Sequence, residues 1–62
     1  MTIEETYVKH IENGIRGIKL GTKKPEDTNV GKYLNKLKPI NSGLYDELVD
    51  RYSEVMKRYN KL

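Results

Sequence analysis

Apolar side chains recur at helical intervals in three stretches of the chain. Ile3, Tyr7, Ile11, Ile15 and Ile18 follow spacings of 4, 4, 4 and 3, with Val8 on the same face, which is the period of a helix with one apolar stripe. Thr2 and Glu5 form an S/T-x-x-E capping box ahead of the stripe. Lys19 and Gly21 supply the stop signals. A helix over 3–20 is predicted. Val30, Tyr33, Leu34 and Leu37 repeat at i, i+3, i+4 and i+7 and predict a shorter helix over 29–38. Asp27 or Thr28 is its expected cap. It must stop before Pro39, because the residue preceding a proline avoids the α region.

The third stripe is the longest. Leu44, Leu48, Tyr52, Val55, Tyr59 and Leu62 follow spacings of 4, 4, 3, 4 and 3, and Tyr45, Val49 and Met56 widen it. A long helix over 42–60 is predicted, capped by Asn41 or Ser42. With Asn41 as cap, Ile40 and Tyr45 take the hydrophobic-staple positions. Asp46 and Glu47 near its start and Lys57, Arg58 and Lys61 near its end complement the helix dipole.

Two readings compete over the first stretch. Asn13-Gly14 is a type I′ turn signal, which would make 6–20 a β-hairpin. That register pairs Glu12 with Ile15, Ile11 with Arg16 and Val8 with Lys19. Apolar and charged residues then mix on both faces, which a half-buried hairpin does not do. The helix is therefore the preferred reading. Gly14, Gly17 and Gly21 fall within one arc of that helix. They either form a close-approach face for another helix or mark a break. Two interior glycines weaken a helix by about 1 kcal/mol each relative to Ala. This favours a break near Asn13, with a further turn or short helix at 15–20.

The expected fold class is all-α: a single small helical domain, 1–62, with two long helices and a short middle one. A basic connector, 21–28, has no apolar residues. The core candidates are Ile3, Tyr7, Ile11, Ile15, Ile18, Val30, Leu34, Leu37, Leu44, Leu48, Tyr52, Val55 and Tyr59. At 62 residues such a chain buries only about 60 % of its unfolded surface. With no Cys and one His, neither disulfides nor a Cys or multi-His metal site is available to reinforce it. No metal or cofactor is expected. Good helix packing, self-association or a partner remain as stabilisers. The stripe on the last helix is wider than one neighbouring helix covers. At about three heptads it is also short for a coiled coil.

No apolar run approaches the ~18 residues of a membrane span, and the acidic start Met1-Thr2-Ile3-Glu4-Glu5 is not a signal peptide. A cytoplasmic protein without membrane contact is expected. Nine Lys, five Asn, five Ile and five Tyr fit an AT-rich genome. Size and composition are similar in style to small regulators encoded by phages or mobile elements, although no motif specific to a family is present.

Charge is distributed unevenly. Residues 1–20 carry three charges of each sign, and residues 42–62 carry four of each. The net charge of +3 therefore lies in residues 21–41, which hold Lys23, Lys24, Lys32, Lys36 and Lys38 against Glu26 and Asp27. These lysines are the candidate nucleic-acid contacts, since Lys32 and Lys36 stand one turn apart and can meet phosphates together. A helix-turn-helix outline over 28–60 is loose. Its second helix begins with Asp46 and Glu47, which repel phosphate, and lacks the Arg, Asn or Gln that reads base edges.

Catalytic chemistry is poorly signalled. Gly17-Ile18-Lys19-Leu20-Gly21-Thr22-Lys23 has Thr and Lys in the wrong order for a phosphate loop and no preceding strand. His10 changes charge near neutrality, as a general base or pH switch must, but no nucleophile and orienting group accompany it. It lies off the apolar stripe, where a solvated imidazole is expected. Glu4/Glu5, Glu26/Asp27 and Asp46/Glu47 stand at helix starts, where dipole complementarity accounts for them. Asp46, Asp50 and Glu54 form an acidic stripe, either for recognition or as a solvated face with an Asp50–Glu54–Arg58 ladder. The five tyrosines, Tyr7, Tyr33, Tyr45, Tyr52 and Tyr59, suit interfaces, where an apolar ring and a wet hydroxyl are both used.

The sequence is therefore read as a non-enzymatic protein-protein interaction module. It would act as a small regulator or inhibitor that binds a larger protein, or itself as a homo-oligomer, through a helical face. The candidate contacts are Tyr45, Val49, Tyr52, Met56 and Tyr59, or the acidic Asp46, Asp50 and Glu54. The alternative is a nucleic-acid-binding accessory protein that uses the five lysines between 23 and 38.

Overall fold

The computed structural model describes residues 2–61. Thr2 opens the first helix, α1 (Ile3–Leu20), and its Oγ1 accepts a hydrogen bond from the Glu5 N–H at 3.2 Å. α1 then runs unbroken through Asn13, Gly14 and Gly17. Neither the hairpin over 6–20 nor the break near Asn13 forms. Gly21 ends the helix at φ 77°. Its N–H donates to the Ile18 carbonyl at 3.1 Å, and the Thr22 N–H donates to Gly17 at 2.9 Å. This pair of bonds is the Schellman closure that a left-handed glycine permits.

The glycines inside α1 mark close approach rather than a break. A Cβ at Gly14 would collide with Cγ2 of Val30 and lie 3.0 Å from Cβ of Thr28. One at Gly17 would meet the aliphatic stem of Lys23 at 2.9–3.1 Å. Tertiary contact at Gly14 thus offsets its weak helix propensity, because only a residue without Cβ lets the next helix start this near.

The connector holds a 3₁₀ turn, Pro25–Asp27. This turn takes up both expected caps of the next helix. Asp27 lies within the turn, and the Thr28 hydroxyl donates to the Pro25 carbonyl at 2.8 Å. Asn29 caps α2 (Val30–Leu37) instead, in the left-handed region at φ 57° and without a side-chain cap bond. Asn tolerates that conformation better than other non-glycine residues. α2 stops ahead of Pro39. Asn41 then starts α3 (Ser42–Lys61), and its Oδ1 accepts from the Leu44 N–H at 3.1 Å. Leu62, the last position of the predicted stripe, and the side chain of Lys61 lie outside the described residues.

The three helices alternate in direction. Val30 of α2 sits on Gly14, and Tyr33 stacks on His10 and meets the Tyr7 ring at a tilt, so α2 runs back along α1. α3 runs forward again. Asn41 Nδ2 donates to Glu4 Oε1 at 2.8 Å, Leu44 shares a depression with Val8, and Val55 and Arg58 lie beside Ile15 and Lys19. α1 and α3 are therefore parallel, with α2 antiparallel on one side of the pair.

The buried side chains are Ile11, Ile15, Ile18, Val30, Leu34, Leu37 and Leu48, all of them expected core positions. Ile11 and Leu37 are 0 % exposed. All the buried side chains but Ile18 form one cluster, and Val8, Tyr33, Leu44, Tyr45, Val49, Tyr52 and Val55 pack around it half-buried. Tyr7 is half-buried against Tyr33 rather than in the cluster, and two further expected core residues lie at the surface. Ile3, the first residue of α1, is 62 % exposed, and Tyr59 is 37 % exposed beside connector residues Gly21 to Lys24. Both stand at helix ends, beyond the reach of α2, which spans eight residues.

Candidate functional site

α2 covers one side of the parallel pair, and the other side is open. Three depressions follow one another along the α1/α3 seam. The first is lined by Glu4, Glu5, Val8, Lys9, Glu12 and Leu44. The second, sharing Glu12, adds Ile15, Arg16, Lys19, Leu20 and Arg51. The third shares Ile15, Lys19 and Arg51 and extends to Glu54, Val55 and Arg58. The two outer depressions of the seam have largely apolar floors, at Val8 and Leu44 and at Val55, whereas the middle one, between Glu12, Arg16, Lys19 and Arg51, is more polar than apolar. Leu20 stands at its margin, 67 % exposed.

Helix geometry explains who lines this seam. At 100° per residue, Glu4, Val8, Ile15 and Lys19 project from one flank of the buried stripe of α1, with Glu12 a little further round. On α3, Leu44, Arg51, Val55 and Arg58 project from the facing flank by the same count. The long stems of Lys and Arg can lie along the apolar floor while their charges remain in water.

The residues expected to bind a partner are divided by the fold. Tyr45, Val49 and Tyr52 lie half-buried against the chain's own core. Met56 is half-buried, and Tyr59 flanks the connector. Asp46 and Asp50 are exposed on the outer face of α3, and Glu54 is exposed but turns to the seam. The expected contact face is thus not one surface. Its aromatic half largely serves the fold.

The lysines of the basic segment also separate. The stem of Lys23 covers Gly17, and Lys24 lines a depression beside Tyr59. Lys36 Nζ leans towards α1, 5.8 Å from the Tyr7 ring and 6.0 Å from the Tyr33 ring. Lys38 Nζ leans the other way, 5.5 Å from the Tyr45 ring on α3. Lys32 is exposed on α2. His10 is exposed, as expected, but is not simply solvated. Its ring stacks on Tyr33 with centroids 4.7 Å apart and planes 10° from parallel. That stack and the Tyr7–Tyr33 contact at 5.6 Å fasten α2 to α1.

Among the described residues, no three His, Cys, Asp or Glu side chains come together to hold a metal ion. No described helix is long and apolar enough to cross a membrane. No family model, curated protein or solved structure matches the chain.

Proposed function

We propose that this chain is a non-enzymatic protein-interaction module of the regulator or inhibitor class, and that its docking surface is the α1/α3 seam. The observation that carries the reading is the seam itself: two apolar depressions joined by a charged middle between parallel helices, with no described element over them on the side away from α2. A helix set into such a groove packs as α2 does on the opposite side, with ridges in grooves. The reading moves the contact residues from Tyr45, Val49 and Tyr52, which the core uses, to Leu20, Arg51 and their neighbours. The five lysines between 23 and 38 fall into the Lys23–Lys24 pair on the connector, the Lys32–Lys36 pair on α2 and Lys38 beside Tyr45, whereas phosphate neutralisation rewards charges gathered on one face.

The test is affinity capture with tagged and untagged copies of the chain together in a cell lysate, with and without nuclease. The native chain is compared with a Leu20→Glu, Arg51→Glu variant. Both positions are exposed, so the variant should keep its helical circular dichroism. The native chain is expected to retain a protein, either itself or another, after nuclease treatment, and the variant to lose it. Retention unaffected by the two substitutions overturns the assignment. Capture of nothing, or only of prey that nuclease removes, overturns the module reading.

A further inference from the structure

The charges along the seam are sorted. Nearest the helix starts the edge carries Glu4 and Glu5, with Glu12 following at mid-helix. Towards the ends of α1 and α3 it carries Arg16, Lys19, Arg51 and Arg58. Lys9 and Glu54 are the exceptions. We propose that the occupant of the seam is a second copy of this chain, laid antiparallel across it about a two-fold axis. The proposal rests on the seam being the docking surface and names what fills it.

A two-fold contact uses the same patch twice, so the patch must complement itself. This one does so in one orientation. With the two copies antiparallel, the acidic end of each lies on the basic end of the other, and the match occurs twice. In parallel orientation, like ends meet. The apolar floor is likewise shared, so Leu20 and Val55 of one copy meet the Val8 and Leu44 region of the other.

Size is consistent with this. A stable interface takes about 800 Å² from each partner, less than a fifth of the 4538 Å² surface of this chain. The molecule spans 34 × 19 × 14 Å, so the contact must engage most of the length of the seam face.

Two charge-reversal variants test the geometry. In the first, Glu5→Lys and Glu12→Lys make both ends basic. In the second, Lys19→Glu and Arg51→Glu make both ends acidic. All four positions are exposed, and circular dichroism checks that each variant is folded. Sedimentation equilibrium measures the mass of the native chain, of each variant and of their equimolar mixture.

The native chain should show twice its 7.2 kDa. Each variant alone should associate at least about tenfold more weakly. The mixture should recover a one-to-one heterodimer, because a both-acidic copy complements a both-basic one at either end. Each of three results overturns the proposal: a native chain that stays monomeric at millimolar concentration, variants that pair as well as the native chain, or a mixture that fails to pair. If the native chain is monomeric but another protein is captured in a Leu20- and Arg51-dependent way, self-pairing falls while the docking seam stands.

Discussion

A single methyl group added at Gly14 tests how α1 and α2 meet. The position is in the interior of α1, where Ala is favoured over Gly by about 1 kcal/mol. Helix propensity alone therefore predicts that Gly14→Ala stabilises. The packing predicts the reverse. The new Cβ collides with Cγ2 of Val30 and lies 3.0 Å from Thr28 Cβ. Val30 is 1 % exposed, and β-branching restricts its χ1, so it has little room to turn away. Relief requires the start of α2 to move off α1, and overpacking of this kind costs about 1–3 kcal/mol.

The two terms leave a net loss of about 1 kcal/mol, or a fall in Tm of roughly 4–8 °C for a domain of this size. Gly31→Ala is the control. Nothing lies within 4 Å of its would-be Cβ, so a gain of about 0.5 kcal/mol is expected from reduced freedom of the unfolded chain. Thermal and urea unfolding, followed by circular dichroism, give both values. In a Val30→Ala background the Gly14→Ala penalty should shrink, leaving only the Thr28 contact, a coupling that a double-mutant cycle reads directly. The reasoning is refuted if Gly14→Ala and Gly31→Ala raise Tm alike.

Asn41 joins the starts of two helices, capping α3 and donating to Glu4. Asn41→Ala should lose about 1 kcal/mol from the cap alone. Asn41→Ser should recover most of that by restoring an acceptor, whereas Asn41→Asp should fall short of Ser because it sets a carboxylate against Glu4. Equal melting temperatures for Ser and Asp would show that the Glu4 contact contributes nothing. Asn29 holds a left-handed conformation at φ 57°. Asn29→Ala should therefore lose about 1 kcal/mol, and Asn29→Gly should be neutral or better in the same unfolding assay. An Ala variant as stable as the Gly variant would refute that account.

Helix positions were legible because each stripe carries its own end signals. Thr2, Gly21, Pro39 and Asn41 bound the helices close to where they fall. The cap of α2 was hidden for a physical reason. Asp27 and Thr28 have the usual capping side chains but are engaged by the turn after Pro25. Asn29 acts through its backbone conformation, which has no pattern of partners to read. Gly14 misled because local propensity registers only the weakness of glycine in a helix, while its benefit depends on Val30, sixteen residues away. The tyrosine-rich flank of α3 looked surplus while the neighbours of that helix were unknown. With α2 in place, Tyr45, Val49 and Tyr52 pack around the core.

The seam was partly written in the sequence. In 1–20 and again in 42–62, acids largely precede bases, as each helix dipole favours. Each helix sums to zero, so a count by segment conceals the sorting. Direction is what exposes it. With short connections, consecutive helices alternate, and the first and third of three must point the same way. Two parallel helices add their acid-to-base gradients, and only something running the other way neutralises the sum. On one side α2 does this. Glu26 and Asp27 precede it at the basic end, and Lys36 and Lys38 close it at the acidic end. On the other side, no described element does so. Any helix that obeys the same dipole rule, acids first and bases last, would dock there antiparallel. A second copy meets that requirement twice, with α1 and α3 together, where a lone foreign helix would meet it once.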